Sequence, residues 1–550
     1  MRGGDGRARR LTGSAPLLIV VAFAVLGSYA LIPGRPRPAD ADASLFSADR
    51  AFDHVTAIAR RPRPIGSAAN AEARDYILGV LRDLGIESRT QRLNAPDYFG
   101  SGERVEVVNI LGRIPGTGST RAVALMAHYD TVPGTPGAND DAAGVAALLE
   151  TARALVSGPP VANDVVLLFT DGEEPAPRYG ASALAADDGL MSALGFVVNL
   201  EAAGGSGASL LVETSGPGAW VVARYAHAAS RPAAFSVVSG IVDLMGTLGT
   251  DFDAFRDAGV PGVHFAYVRG SPIYHTAADD IASVSRSSLQ HHGDHALALA
   301  REFGDADLAD LPGSGASIFF TIGSVLVRYP AAWSLPLLAL AVAAFGWALR
   351  RRARGRHAAG AIVRTLGRMM VAGAVALALG TAAWLAITSA RTTPYVVESY
   401  GYLAVLSALS VVLAIGLLRR LVTSADSAVT GHAVVLLWLV LTVLTSIWLP
   451  ATSYVFLWPT LAASLSLGWT RHRWRWARFA LVAAPTILLS VPAIDFFFQM
   501  SLPRPGNADS QLAAAISVPL LFILLVAALL RGVWMAPADV PPRSAPVAPA

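Results

Sequence analysis

Hydrophobic and polar positions follow one pattern up to about Pro312 and another beyond it. Between Ser44 and Pro312 the pattern is that of an α/β domain. Ile77, Val80, Leu81 and Leu84 keep helical spacing, whereas Ala122–Ala127, Val165–Thr170, Phe196–Leu200 and Gly262–Val268 are short apolar runs suited to buried strands. Polar or acidic residues follow each run closely, and in open α/β sheets ligands gather beyond such strand ends. After Pro312 come apolar runs near 333–349, 370–390, 402–418, 431–449, 452–469, 479–499 and 511–530, each of membrane-spanning length. An uncharged run from Ala15 to Pro33 follows Arg2, Arg7, Arg9 and Arg10 and makes an eighth span. It exceeds the core of a signal peptide and is read as a retained anchor in preference to a cleaved signal peptide. Gly34–Asp42 reads as an extended linker. The stretch Ile318–Tyr329, interrupted by Arg328, reads as an interfacial segment or a ninth span.

Composition sharpens this division. Hydrophobic residues make up 53% of the chain and charged residues 15%, against a usual charged share of about 25%. A wholly soluble protein is excluded. Of forty acidic residues only Glu398, Asp426, Asp495, Asp509 and Asp539 lie beyond Pro312. Three regions follow: 1–43 as cytoplasmic terminus, anchor and linker, 44–312 as an α/β domain, and 313–550 as an all-α membrane domain of about seven spans. The net charge of +3 rests on arginines beside apolar runs, where topology explains them without a nucleic-acid partner. Arg350 to Arg368, Arg419 and Arg420, Arg471 to Arg478, Arg531 and Arg543 share one side of an eight-span arrangement, with Arg391 and Arg504 on the other. Both termini are then cytoplasmic and the 44–312 domain faces outward. The chain has no cysteine, so any metal must sit on His, Asp and Glu.

Four segments carry candidate chemistry. In His128-Tyr129-Asp130, followed after a Gly/Pro turn by Asp140-Asp141, a histidine and carboxylates can converge on one cation, with Asp130 orienting the His128 ring. The rival reading makes Asp140 and Asp141 caps of the following helix. Glu173 and Glu174 end the next strand run and can divide labour between general base and metal ligand, although paired glutamates in loops are often only solvated. Glu201 closes a third apolar run. Tyr274-His275, with Asp279 and Asp280 behind it, offers an imidazole and a phenol for an oxyanion. His291, His292 and His295 read as helix surface. Asp495 and His432 are the ionisable residues inside apolar runs that a transport pathway would use.

In this order, each at the end of a strand, His128, Asp140, Glu173-Glu174, Glu201 and Tyr274-His275 resemble peptidase family M28, zinc-dependent metallopeptidases. The resemblance runs from about Phe46 to Arg301 and includes Pro64-Ile65-Gly66-Ser67 with Asn70, Asn109-Ile110 and Gly249-Thr250-Asp251-Phe252. It implies an α/β/α mixed-sheet domain with two zinc ions bridged by Asp140. One ion would also be held by His128 and Glu201, the other by Glu174 and His275. Glu173 matches the general base, Asp130 the carboxylate beside the first histidine, and Tyr274 a tyrosine bonding the tetrahedral intermediate. A cis peptide after Asp140 is also implied. Glu201 departs from the Asp of many soluble aminopeptidases of the family. Asn199-Leu200-Glu201-Ala202 and the layout of spans are similar instead to the membrane-bound branch, the vacuolar and endoplasmic-reticulum proteases. The favoured function is a membrane-anchored exopeptidase, an aminopeptidase first, acting on peptides outside the cytoplasm: at the cell membrane if bacterial, in a lumen if eukaryotic. A glutaminyl-cyclase-like enzyme, a non-catalytic peptide-binding scaffold and a transporter with an accessory peptidase domain stand as alternatives. Oligomeric state is left open.

Overall fold

In the computed structural model the described residues are 5–97, 103–174, 178–313, 315–352, 356–389, 427–469, 474–500 and 510–535. Helix α1 (Asp5–Ser28) leads through a short 3-10 turn into the linker. The linker is extended but docked: the Arg37 amide donates to Gln290 Oε1 at 2.7 Å, and its guanidinium pairs with Asp294 Oδ1 at 2.6 Å. Ser47 and Ser67 accept the Arg50 and Asn70 amides and so start α2 (Ala48–Ile58) and α3 (Ala68–Asp83). The Ile77, Val80, Leu81, Leu84 stripe lies along α3, with Ile77 and Leu81 fully buried.

The sheet is built from β1 (Glu87–Pro96), β2 (Arg104–Ile114), β3 (Ala122–His128), then, after α4 (Ala142–Val156), β4 (Val165–Thr170). Two short helices, α5 (Tyr179–Ala185) and α6 (Asp188–Ala193), precede β5 (Leu194–Ala202) and β6 (Leu210–Ser215). Helices α7 (Gly218–Ala228), α8 (Ser236–Met245) and α9 (Phe252–Asp257) precede β7 (Gly262–Tyr267), and α10 (Arg286–Gly304) follows it. Strand order is β1-β2-β4-β3-β5-β7-β6. The central strands β4, β3, β5 and β7 are parallel, whereas the pairs β1/β2, β2/β4 and β6/β7 toward the edges are antiparallel. β3, β5 and β7 are buried along their whole length, which is why they read as unbroken apolar runs. Because these strands are parallel, their C-terminal ends share one edge: His128 pairs with Thr170 across β3/β4, and Glu201 with Ala266 across β5/β7.

Helix α10 differs from its expected surface role, for His291, His292 and His295 are all buried. Ser209 reaches two of them, with its amide on His291 Nδ1 at 3.1 Å and its hydroxyl on His292 Nδ1 at 2.8 Å, while Tyr225 OH lies 3.2 Å from His295 Nε2. The helix is covered on both flanks, by α2 and α4 on one and by the β6–α7 region on the other.

The segment expected to be interfacial or a ninth span is a β-hairpin, β8 (Ser317–Ile322) and β9 (Val325–Pro330). Phe320 stacks on Tyr454 with ring centroids 4.8 Å apart, so the hairpin lies between the α/β domain and the helices that follow. Those helices are α11 (Ser334–Arg352), α12 (Arg356–Ser389), α13 (Ser427–Trp448), α14 (Tyr454–Gly468), α15 (Arg475–Met500) and α16 (Ser510–Met535). Among the described residues Ala331–Arg351, Val429–Trp448 and Arg475–Gln499 are long and apolar enough to cross a membrane, while Ala15–Leu31, Tyr454–Gly468 and Leu521–Trp534 are shorter apolar helices. The run expected at 402–418 lies outside the described residues.

Candidate metal centre

The site assembles where β3, β4, β5 and β7 end. His128 is the last residue of β3 and is buried. Its Nε2 lies 3.1 Å from Asp140 Oδ1 and 3.6 Å from Glu201 Oε2. The other oxygen of Asp140 faces the opposite imidazole, with Oδ2 at 3.3 Å from His275 Nε2. His275 Nε2 also stands 2.5 Å from Glu174 Oε1. One carboxylate thus lies between two imidazoles, each with a second carboxylate of its own.

Asp130 sits behind this set. It lies 3.5 Å from His128 Nδ1 and accepts the Glu173 and Glu174 amides at 3.2 and 3.0 Å, fixing the acidic pair to the end of β3. The Asp140–Asp141 peptide is cis. Asp141 Oδ1 accepts the Gly144 amide at 2.9 Å and caps α4, so the capping reading holds for Asp141 and not for Asp140. Both acids come close enough to matter: His128, Asp140 and Glu174, and likewise His128, Asp141 and Glu201, each bring ligand atoms within 4.8 Å of one another. Asp140 is the stronger bridge because neither of its oxygens is committed to a backbone amide. The loop between the two elements is tight. Gly137 has φ +60°, and a Cβ there would come 2.3 Å from Asp140 O. Tyr274 stacks on His275, centroids 3.7 Å apart, and His275 takes a left-handed φ of 59°.

Three residues outside the expected set shape the site. Arg63, fully buried, donates from Nε to Tyr129 O at 2.6 Å, from Nη2 to Gly137 O at 2.8 Å and from Nη1 to Pro136 O. Asp279 accepts the Asn139 and Asp140 amides at 2.8 and 3.1 Å. Asp251 is buried and pushed up to about 7 by its burial, with the charges of Glu201 and Asp130 adding to the rise. Asp251 lies in the Gly249-Thr250-Asp251-Phe252 segment of the resemblance, whereas Arg63 and Asp279 are signalled in the sequence by position: Arg63 precedes Pro64-Ile65-Gly66-Ser67, and Asp279 follows His275 by four residues.

Charge bears directly on whether a metal fits. Burial pushes Glu174 up to about 8, with Asp140 adding to it, and raises Glu173 and Glu201 as well. Burial would lower both imidazoles, yet Glu201, Asp130 and Asp140 raise His128, and Asp140 and Glu174 bring His275 to about 10. Burial also opposes ionisation of Asp140, but the flanking imidazoles hold its carboxyl well below the usual range. Protons are thus drawn to where carboxylates crowd. Despite this crowding, His275 Nε2, His128 Nδ1 and Glu201 Oε1 make no aligned hydrogen bond. His128 Nδ1 faces Asp130, whereas His128 Nε2, His275 Nε2 and the Asp140, Glu174 and Glu201 carboxylates converge as a donor set of the N/O type that zinc takes, and the residues fit the metal.

Residues 109–300 match Peptidase family M28. Over that segment the chain is similar to metallopeptidases of this family, and the relatives it matches include endoplasmic-reticulum and vacuolar membrane proteases. It is 30% identical to Endoplasmic reticulum metallopeptidase 1 of Rattus norvegicus, over 51% of this chain and 33% of the relative. To Vacuolar membrane protease of Candida dubliniensis it is 31% identical, over 42% of this chain and 26% of the relative. The matches therefore span about a third or less of these relatives' length. Among solved structures, glutaminyl cyclase of Bacteroides thetaiotaomicron is similar at 20% identity and a TM-score of 0.40, covering 47% of this chain and 99% of the cyclase. A likeness of that degree does not choose between reactions.

Proposed function

We propose that the chain is a membrane-anchored two-zinc exopeptidase, an aminopeptidase, that hydrolyses peptides on the extracytoplasmic side. The observation that carries the proposal is Asp140, with one oxygen toward His128 and the other toward His275. His128, Asp140 and Glu201 would hold one ion and Asp140, Glu174 and His275 the other. What zinc supplies there is an acidified water at neutral pH and a polarised carbonyl. Glu173, buried and raised by that burial, takes the proton of the attacking water and passes it to the leaving amine. Asp130 holds the His128 ring and the Glu173–Glu174 backbone in register. Tyr274, beside His275, donates its phenol proton toward the developing oxyanion. With Asp251 and Glu173 close to the metal-facing carboxylates the centre is rich in acidic groups, a surround that favours a substrate's ammonium end over its carboxylate end.

The arginine asymmetry supports eight spans with cytoplasmic termini, and the domain limits 1–43, 44–312 and 313–550 belong to the same proposal. Retention of α1 is supported by its packing: Gly27 lies against Leu488 of α15, and Leu31 is buried with Phe235 and Phe320. The deciding experiment is a peptide-library digest with product sequencing by purified protein, beside Glu173→Gln and a chelated control. Single residues released from the amino end, lost in both controls, are expected. Ammonia release from N-terminal glutamine without chain cleavage would replace the peptidase by a cyclase, and hydrolysis untouched by Glu173→Gln would remove that residue's role.

A further inference from the structure

Asp495 is the one acid of the largely apolar helix α15, and the mechanism above leaves it unused. Its partner lies outside the bundle. Asp495 Oδ1 is 2.9 Å from Nη2 of Arg269, two residues past the end of β7 and six before His275. One turn further along α15, the carbonyl of Gln499 accepts the Ser271 hydroxyl at 2.8 Å, and Ser271 is fully buried. The end of α15 therefore grips the loop leading to Tyr274 and His275 at two points. From the other side, Arg269 is tied by its backbone, its carbonyl accepting the Gly205 and Ser206 amides at 2.8 and 2.9 Å. Between these anchors and His275 the chain passes through Gly270, with φ 77°, and a single 3-10 turn, Ser271–Ile273. His275 itself adopts the left-handed conformation, which a non-glycine residue keeps only where its surroundings impose it.

We propose that Asp495 is a positioning residue of the active site: through Arg269, and together with the Gln499–Ser271 contact, the end of α15 holds the loop that presents Tyr274 and His275. The membrane bundle is on this view a working part of the peptidase centre as well as its anchor. The inference rests on the two-zinc reading and adds a specific asymmetry to it. Loosening the loop should weaken the ion held by Glu174 and His275 and spare the one held by His128 and Glu201.

The test uses the full chain in nanodiscs. Asp495→Asn, Arg269→Gln and the exchanged pair Arg269→Asp/Asp495→Arg are compared for zinc content during timed exposure to chelator, and for kcat and KM on a peptide substrate. Either single variant is expected to lose one zinc of two ~10-fold faster and to drop kcat by ~10-fold, the scale seen when residues that orient metal ligands are removed. KM should stay within ~2-fold, because the loop orients reacting groups more than it binds substrate. The exchanged pair should recover much of both. Where Asp495→Asn fails to accumulate, Ser271→Ala removes the second contact without touching a charge and gives the same readouts. An active, zinc-loaded wild type whose variants match it in zinc retention and kcat overturns this inference alone. A wild type that holds no zinc overturns the metallopeptidase reading and takes this inference with it.

Discussion

The carboxylate of Asp279 accepts the backbone amide of Asp140 at 3.1 Å, so the loop behind His275 sets the position of the acid between the two imidazoles. The same carboxylate takes the Asn139 amide at 2.8 Å and its Nδ2 at 2.7 Å. Tyr267 donates to Asn139 Oδ1 at 2.9 Å and closes the brace from β7. Asp279 touches no reacting group, and its effect passes through Asp140. Asp279→Ala is expected to lower zinc retention and kcat by ~10- to 100-fold with the far-ultraviolet circular dichroism unchanged. Metal content by mass spectrometry decides it; values within twofold of wild type would show that the brace is dispensable.

Arg63 secures the other side of the metal loop. Its guanidinium bonds three carbonyls, of Tyr129, Pro136 and Gly137, and its amide bonds Thr131 Oγ1 at 2.9 Å. Burial brings the guanidinium down to about 10, so it stays charged at neutral pH. Arg63→Ala strands two buried acceptors and a part-buried one and is expected to destabilise the domain by about 3 kcal/mol. Arg63→Lys should not rescue it, since an ammonium cannot copy the planar fork. Chemical denaturation of both variants checks this, and full stability in the lysine variant would refute the geometric argument.

What the sequence made legible and what it hid follow from the range of the interactions. The parallel strands were readable because burial on both faces leaves no alternation, and β4 was expected at the limits it has. His128 and Glu201 stood out because each interrupts the end of an apolar run, Glu173 and Glu174 because they follow one closely, and Asp140 and His275 because of the loops that carry them. Arg63 and the bracing role of Asp279 were hidden, since Arg63 meets its partners 66 to 74 residues away and Asp279 reaches Asn139 and Asp140 across 140 and 139. The hairpin at Ile318–Tyr329 was ambiguous for a different reason. Its inward residues Ile318 and Phe320 are buried against the bundle while Val325 is 63% exposed, and a short apolar stretch of that kind has no distinctive period. His291, His292 and His295 look like an exposed polar stripe until β6 and α7 cover them.

Those three histidines predict an acid limit. Burial lowers His291 to about 4 and His292 to about 3, and holds His295 well below its usual value. Their folded values lie below the unfolded one near 6.5, so the unfolded chain takes up protons that the folded chain refuses. Stability from this source is complete above 6.5 and declines as the pH falls toward 4, by about 1.4 kcal/mol per pH unit for each histidine. His292→Gln keeps a partner for Ser209 and should flatten the decline by one histidine's share, whatever it does to stability at pH 7. Urea unfolding at pH 7, 6 and 5 measures both slopes, and parallel slopes would exclude His292 as a contributor.

Removing the metal should have the opposite dependence on pH. In the empty cage Glu174 rises to about 8, chiefly through burial, and burial would lower His275, but the adjacent Asp140 and Glu174 carboxylates carry it to about 10. Both folded values exceed the unfolded ones, so the folded apo protein holds extra protons. This stabilises it at low pH and the benefit is lost as the pH rises, past about 4.5 for the glutamate and past 6.5 for the imidazole. Zinc needs the same groups deprotonated, and its binding strengthens over that range. The gap in Tm between zinc-loaded and chelated protein is therefore expected to widen steadily from pH 6 to pH 8.5. Glu174→Gln should narrow the gap and flatten its slope, because an amide neither titrates nor ligates as a carboxylate does. A gap constant across that range would mean that these groups do not exchange protons for metal, and the two-imidazole, shared-carboxylate cage would lose its electrostatic basis.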